Sequence, residues 1–285
     1  MNPTPPSDAP TPTLLLLDNG SLEPAAVLSL RAIAARLSAA LGQEVAPVSL
    51  LHSHKIPAER LDGRPAEIFD QALARRIAAG AMDFLVVPLF FGPSGALTDY
   101  LPQRVARLRA LHPDLRVRLA PPLADVPAAA DTRLAAILAD HVRAKLTPAA
   151  PAPAVIVVDH GSPVREVTAV RDHVTAQLRE LLGATVRAVS AASMERRPEP
   201  EYAFNEPLLA TALDRAATEA GRVIVAPLFL SPGRHAGPGG DIAQICAAAQ
   251  ARHPGLQPIL TELVGTHAGL IAILAERAQG EGRDL

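Results

Sequence analysis

Asp159-His160-Gly161-Ser162, Ser193-Met194-Glu195 and Ser231-Pro232-Gly233-Arg234-His235 each set one metal-ligating side chain just beyond a short apolar run. Two neutral imidazoles and one carboxylate would hold a divalent cation at a net charge near +1 and leave coordination positions open. That is the chemistry of a reactive centre rather than of a closed structural site. Such a ligand set accepts Fe2+, Co2+, Ni2+ and Zn2+ alike, so it does not name its metal. Arg165, Arg196, Arg197 and Arg234 stand close to these residues in the chain. A planar guanidinium can grip two carboxylate oxygens at once, so a polyacidic ligand is expected beside the cation, with Ser162 at the same turn. Taken singly, each residue has a plainer role: Ser162 can cap the helix that follows, and Glu195 opens a charged, solvated run.

The same signals occur earlier in weaker form. Asp18-Asn19-Gly20-Ser21 precedes its counterpart by 141 residues, and Pro88-Leu89-Phe90-Phe91 precedes Pro227-Leu228-Phe229-Leu230 by 139. Asn19 and Ala96 occupy the places of His160 and His235, so only the second copy keeps both imidazoles. His54 aligns with Glu195 at the first offset but has no partner imidazole. His112 and His253 recur at matched helix ends, where imidazoles can cover the last carbonyls. His141 and His173 fall on helix faces and are expected at the surface.

These residues need elements to bring them together. In the second copy, apolar runs at 154–159, 185–191, 222–230 and 256–262 predict strands, and residues 163–182, 203–220, 240–252 and 268–279 carry a helical period. The first copy repeats the strands at 14–17, 45–50, 84–89 and 115–119. Strands alternating with helices imply the α/β class: two tandem similar domains, each a four-stranded parallel sheet flanked by helices. With strand order 2-1-3-4, the three ligand-bearing ends are neighbours about 4.8 Å apart, at the carboxyl edge where such sheets bind ligands. Residues 1–13 read as a disordered Pro-rich lead, 14–146 as the first repeat, 147–153 as a Pro/Ala linker and 154–279 as the second repeat.

Bulk composition agrees. The 285 residues are 49% hydrophobic and 20% charged with no Trp, enough for two cores built of aliphatic side chains. A net charge of -2 gives no reason to expect nucleic acid or a membrane surface as partner. The single cysteine, Cys246, lies in an apolar stretch and is expected to be buried and unreactive. The Pro-rich start does not read as a signal peptide, and no segment is expected to span a membrane, so a reducing cytoplasm is the expected location.

Together, the strand-end Asp-His-Gly-Ser, the Ser193-Met194-Glu195 segment and the run from Pro227 into His235 resemble the class II sirohydrochlorin chelatases, the ferro- and cobaltochelatases of sirohaem and cobalamin synthesis. The resemblance covers both copies. It implies two α/β units facing one another across a cleft, no ATP and no organic cofactor. It also implies insertion of a divalent metal, Co2+ or Fe2+ with Ni2+ admissible, into a tetrapyrrole bearing eight carboxylates, with release of two pyrrole protons. Carried over residue by residue, it makes His160 and His235 metal-binding and catalytic, with Glu195 matching the family's acidic partner; Ser162, Arg165, Arg196, Arg197 and Arg234, singled out by their own chemistry, are then expected to hold the substrate's acidic rim. The first copy, lacking both imidazoles, becomes one wall of the cleft. A non-catalytic carrier of tetrapyrrole or metal is the alternative. Two fused copies supply within one chain what a dimer of single copies would, so a monomer is expected.

Overall fold

The computed structural model describes residues 11–124, 131–147, 151–217 and 221–285. Strands β1 (Thr13–Asp18), β2 (Val45–Ser49), β3 (Asp83–Pro88) and β4 (Arg116–Leu119) form the first sheet, and β5 (Ala154–Asp159), β6 (Ala188–Ser193), β7 (Arg222–Pro227) and β8 (Gln257–Leu260) the second. The central strands are continuous apolar runs because both of their faces are covered, so no polar alternation is needed. Within each set of four the order is 2-1-3-4 and every pairing is parallel, as expected. A fifth strand, β9 (Arg283–Asp284), adds antiparallel to β4 at the edge of the first sheet. This departs from the expected four: the chain terminus returns to the first half, where Asp284 meets Arg109 at 2.6 Å and Leu285 N–H reaches Val117 O at 3.0 Å.

Among the described residues, eight α-helices sandwich the sheets. Helices α1 (Pro24–Leu41), α4 (Arg133–Arg143), α5 (Arg165–Leu182) and α8 (Gly269–Gln279) fill the layer between them. Helices α2 (Phe69–Ala78) and α3 (Leu101–Leu111) cover the outside of the first sheet, and α6 (Leu209–Ala217) and α7 (Asp241–Arg252) that of the second. Strand alternation assigns each residue its layer: Leu14 and Leu16 of β1 face the shared middle, Leu15 and Leu17 the outer helices. The middle layer is one continuous core, joining Leu30, Ile33 and Leu37 of α1 to Val170, Val174 and Leu178 of α5. Each fully buried aliphatic side chain there contributes roughly 1.5–3 kcal/mol relative to exposure. By length and hydropathy α1 would pass for a membrane-crossing helix, against the sequence expectation of none, but Leu30, Ile33, Ala34 and Leu37 sit in this core.

The last helix of each half crosses over. Helix α4 packs on α5 and β7, and α8 packs on α1 and β3. The linker expected at 147–153 therefore separates the two strand sets along the chain, while packing joins the halves; residues 148–150 lie outside the described residues, as do 1–10 of the lead. Matched contacts make the relation a pseudo-two-fold. Ser231 Oγ meets Ser29 Oγ at 3.1 Å, and at the equivalent place Gly92 lies so close to α5 that a Cβ would stand 2.7 Å from Val170 Cγ2. Arg36 donates to His267 O at 3.1 Å and, equivalently, Gln177 donates to Asp131 O at 3.2 Å. The loops after β3 and β7 thus rest on the early turns of α5 and α1, and the carboxyl ends of both sheets open toward the same end of the molecule.

Element ends differ from expectation where prolines intervene. The helix expected over 203–220 is instead a 3-10 turn at Pro200–Asn205 followed by α6 from Leu209, because Pro207 has no N–H to continue a helix; its last residues, 218–220, lie outside the described residues. The strand expected over 222–230 stops at Pro227.

Candidate functional site

Three strand ends of the second sheet build the site. Beyond β5 and β6 the parallel ladder runs on for two more bonds, Met194 N–H to Asp159 O at 2.8 Å and Glu195 N–H to His160 O at 3.1 Å. Gly161, at φ +92°, lies flat on this ladder: a Cβ there would fall 1.9 Å from Glu195 O, so no other residue fits the turn. His160 and Glu195 are thereby held side by side, with His160 Nε2 3.4 Å from Glu195 Oε1. His235 comes from the loop after β7, closed by Gly233 N–H to Ala236 O at 2.8 Å and by Ile242 N–H to His235 O at 3.1 Å. Its ring meets that of His160 edge to face, with centroids 4.7 Å apart at 77°.

The second nitrogen of each ring decides what the first can do. His160 Nδ1 lies 3.0 Å from Gly161 O and His235 Nδ1 lies 2.7 Å from Asp241 Oδ2. Both partners only accept, so each Nδ1 carries the hydrogen and each Nε2 presents a lone pair, the arrangement that orients metal-binding imidazoles. With the ring neutral, His160 Nε2 and Glu195 Oε1 are two acceptors face to face, a pair that a shared cation or a proton on the imidazole can bridge. Two ligand atoms about 2.1 Å from a tetrahedral ion lie about 3.4 Å apart, which matches their spacing. Among the described residues no three such side chains form a finished cage. The site is a preformed His160–Glu195 edge with His235 turned beside it. A cavity of about 370 Å³ adjoins the His235 loop, lined by Pro232, Ala236, Ile242 and Leu263 but by neither imidazole.

The residues expected to hold an acidic substrate are placed unequally. Arg234 is exposed beside His235, 3.8 Å from Asp241. Arg165 lies over the Phe204 ring at 4.5 Å, and Arg197 bonds Tyr202 Oη at 3.0 Å. Arg196 is occupied within its own loop, by Glu206 at 2.7 Å and by the carbonyls of Arg197 and Pro198. Ser162 Oγ accepts Val164 N–H at 3.0 Å, shaping the entry to α5.

Sequence reasoning missed a buried polar cluster behind the site. Arg171 of α5, 2% exposed, donates to Ser193 Oγ at 2.5 Å and to Asn205 O at 3.1 Å. Ser193 Oγ in turn donates to Asp159 Oδ1 at 2.6 Å, and Asn205 Oδ1 accepts Ser162 N–H and the Thr168 hydroxyl, both at 3.0 Å. Burial pushes the Asp159 carboxyl up, opposed by the Ser193 hydrogen bond and the Arg171 charge. Its signal was present: Thr168, Arg171 and Thr175 sit on the stripe of α5 that also carries Leu178, where polar side chains need buried partners.

The first half repeats the turn without the chemistry. Gly20, at φ +89°, would place a Cβ 1.7 Å from Leu51 O, so Leu51 rather than His54 answers to Glu195. The alignment of His54 with Glu195 is thus corrected by three residues, since β2 pairs Ser49 with Asp18 where β6 pairs Ser193 with Asp159. His54 sits exposed in the short turn Ser53–Lys55. Burial pushes Asp18 up to about 6, against hydrogen bonds from Ser49 and Gly20. Two other histidines also depart from expectation: His141 is buried and packs edge-on against His267, and His253 turns to Asp214 at 3.0 Å. Cys246 is buried, as expected, and burial raises its thiol to about 11.

Residues 13–139 and 154–281 each match the CbiX family. The chloroplastic sirohydrochlorin ferrochelatase of Arabidopsis thaliana is 31% identical over 126 residues, 44% of this chain and 51% of that protein, so the match spans about half the length of the curated relative. Among solved structures, SirB from Bacillus subtilis with Fe3+ superposes with a TM-score of 0.71 at 15% identity, covering 94% of each chain. The structure of CbiX, the terminal enzyme for biosynthesis of siroheme in denitrifying bacteria, does so with a TM-score of 0.55 at 21% identity, covering 93% of this chain and 97% of that one. These two likenesses establish the fold.

Proposed function

This chain belongs to the CbiX family, and we propose that it is a sirohydrochlorin chelatase that inserts a divalent metal, Co2+ or Fe2+, into the tetrapyrrole without ATP. The observation that carries the reading is the His160 Nε2 and Glu195 Oε1 pair at 3.4 Å, a spacing that suits two ligands of one ion, beside a second imidazole. The metal is a substrate. It docks on the lone pairs of His160 and His235 and on Glu195, and two pyrrole N–H protons leave as the macrocycle's nitrogens take the ion, so charge balances. Either imidazole can act as general base and accept one of these protons once the metal has left it. Arg234 and Arg165 are suited to the peripheral carboxylates, whose binding would offset the cost of bending the ring.

Ligand type does not select the metal, since imidazole and carboxylate also accept Ni2+ and Zn2+, and availability decides. Iron would direct the product to sirohaem and cobalt to cobalamin. We propose that the enzyme works in the cytoplasm and as a monomer, and the two-fold contacts already made within one chain support the monomer. Mixing the protein anaerobically with sirohydrochlorin and either metal, and following the absorption change, tests this. A chelatase converts many equivalents; a carrier of tetrapyrrole or metal stops at one, and that outcome would replace the proposal.

A further inference from the structure

We propose that Arg171 is the positioning residue of the metal site: from inside the core it braces the ends of β5 and β6 and so sets the separation of His160 from Glu195. This rests on the reading of His160, Glu195 and His235 as the metal's landing point.

Asp159 and Ser193 are the last residues of adjacent strands and partners in register. His160 follows one directly, and Glu195 stands two residues beyond the other. The Arg171 guanidinium reaches both ends. Its Nη1 donates to Ser193 Oγ at 2.5 Å and lies 3.7 Å from Asp159 Oδ1, while Ser193 Oγ donates onward to Asp159 Oδ1 at 2.6 Å. The same Nη1 donates to Asn205 O at 3.1 Å. Asn205 Nδ2 donates to Ser162 O at 2.9 Å while its Oδ1 accepts Ser162 N–H, which fixes the far side of the His160 turn. On the remaining side Nε and Nη2 bond Asp172 Oδ1 at 2.9 and 2.8 Å, so the guanidinium cannot swing away.

The first half shows that folding does not require this brace. Leu30 occupies the place of Arg171, Ser49 that of Ser193 and Asp18 that of Asp159, yet β1 and β2 pair in the same register and Gly20 makes the same turn. There Ser49 Oγ is met by Ser53 Oγ at 2.9 Å instead, and Leu30 and Ser49 line an open cavity of about 650 Å³. Only the half that carries the ligands buries a guanidinium at this position of its central helix. A planar fork with five donors can tie two strand ends and a loop at once, which a single hydroxyl cannot.

Co2+ titration of the full chain, read by its visible ligand-field absorption, tests the proposal with four variants. Arg171→Leu installs the first half's residue, and Arg171→Leu with Asp159→Asn also removes the acid that would be left unpaired, which keeps the test open should the single variant unfold. Arg171→Lys retains charge without the fork, and His160→Ala is the control for the site itself. We expect Arg171→Leu and the double variant to bind Co2+ about 10–100-fold more weakly with an altered band, at unchanged sirohydrochlorin affinity, and Arg171→Lys to recover part of the loss. If the folded double variant binds Co2+ with the wild-type constant and spectrum while His160→Ala abolishes binding, the brace is refuted and the site stands. If His160→Ala leaves Co2+ binding intact, the landing point itself is wrong and the brace falls with it.

Discussion

The two halves of this chain have nearly the same backbone and opposite interiors at the same place. Each ends its first strand in an aspartate, turns on a positive-φ glycine pressed against the neighbouring strand end, and enters a long central helix. In the second half the turn carries His160 beside Glu195, and the aspartate behind it is met by Ser193 and Arg171. In the first the turn carries Asn19 beside Leu51, and the half-buried aspartate has Ser49 and Gly20 as partners but no guanidinium. The turn is therefore a requirement of parallel β packing, and the chemistry is an addition that one half has done without.

The largest effect expected is loss of function confined to one half. His160→Ala and His235→Ala should each lower metal insertion by about 100-fold or more while leaving tetrapyrrole binding in place, measured by absorption turnover and by ligand fluorescence. Full activity in either variant would end the assignment of chemistry to the second half. Next comes a stability difference in the first half. Asp18 titrates at about 6 in the folded protein against an ordinary 3.8, so the folded state holds its proton more tightly than the unfolded chain. Stability from this group is full below pH about 4, falls as pH rises toward about 6 and is flat above, a loss of roughly 3 kcal/mol. Asp18→Asn should remove that slope and raise stability at neutral pH by a similar order, read from denaturant unfolding between pH 4 and 7. An unchanged slope would show that Asp18 is not the difference we describe.

A smaller change is expected from Asp241→Asn, which keeps the shape but weakens the grip on His235 Nδ1. Metal affinity should fall by about 10-fold, visible in Co2+ titration, with the fold's melting temperature preserved. Smallest of all, Asn19→Ala and Ala96→Ser should leave turnover within about twofold, since Leu51 stands there in the place of Glu195. A large loss there would make the first half a chemical partner and erase the contrast.

Much of this was readable in one dimension. Apolar runs set the central strands β1, β3, β5 and β7 to within a few residues, because a strand covered on both faces is continuously hydrophobic, while the other four had to be found from shorter, interrupted runs. The strand order then brought His160, Glu195 and His235 to one edge, as their positions just after strands required. Less readable was the correspondence of Leu51 to Glu195, since the two halves differ by three residues in chain length before the second strand ends and only the strand pairing revealed it. The crossing of α4 and α8 was invisible, because an apolar helix face does not say which sheet it covers. Sequence alone determined the duplication and the fold class and singled out His160, Glu195 and His235 as candidate ligands, since residue type and local period are legible in it. Tertiary structure alone decided which nitrogen of each imidazole is free, which arginines are occupied and that Arg171 is buried, because these depend on partners far away in the chain.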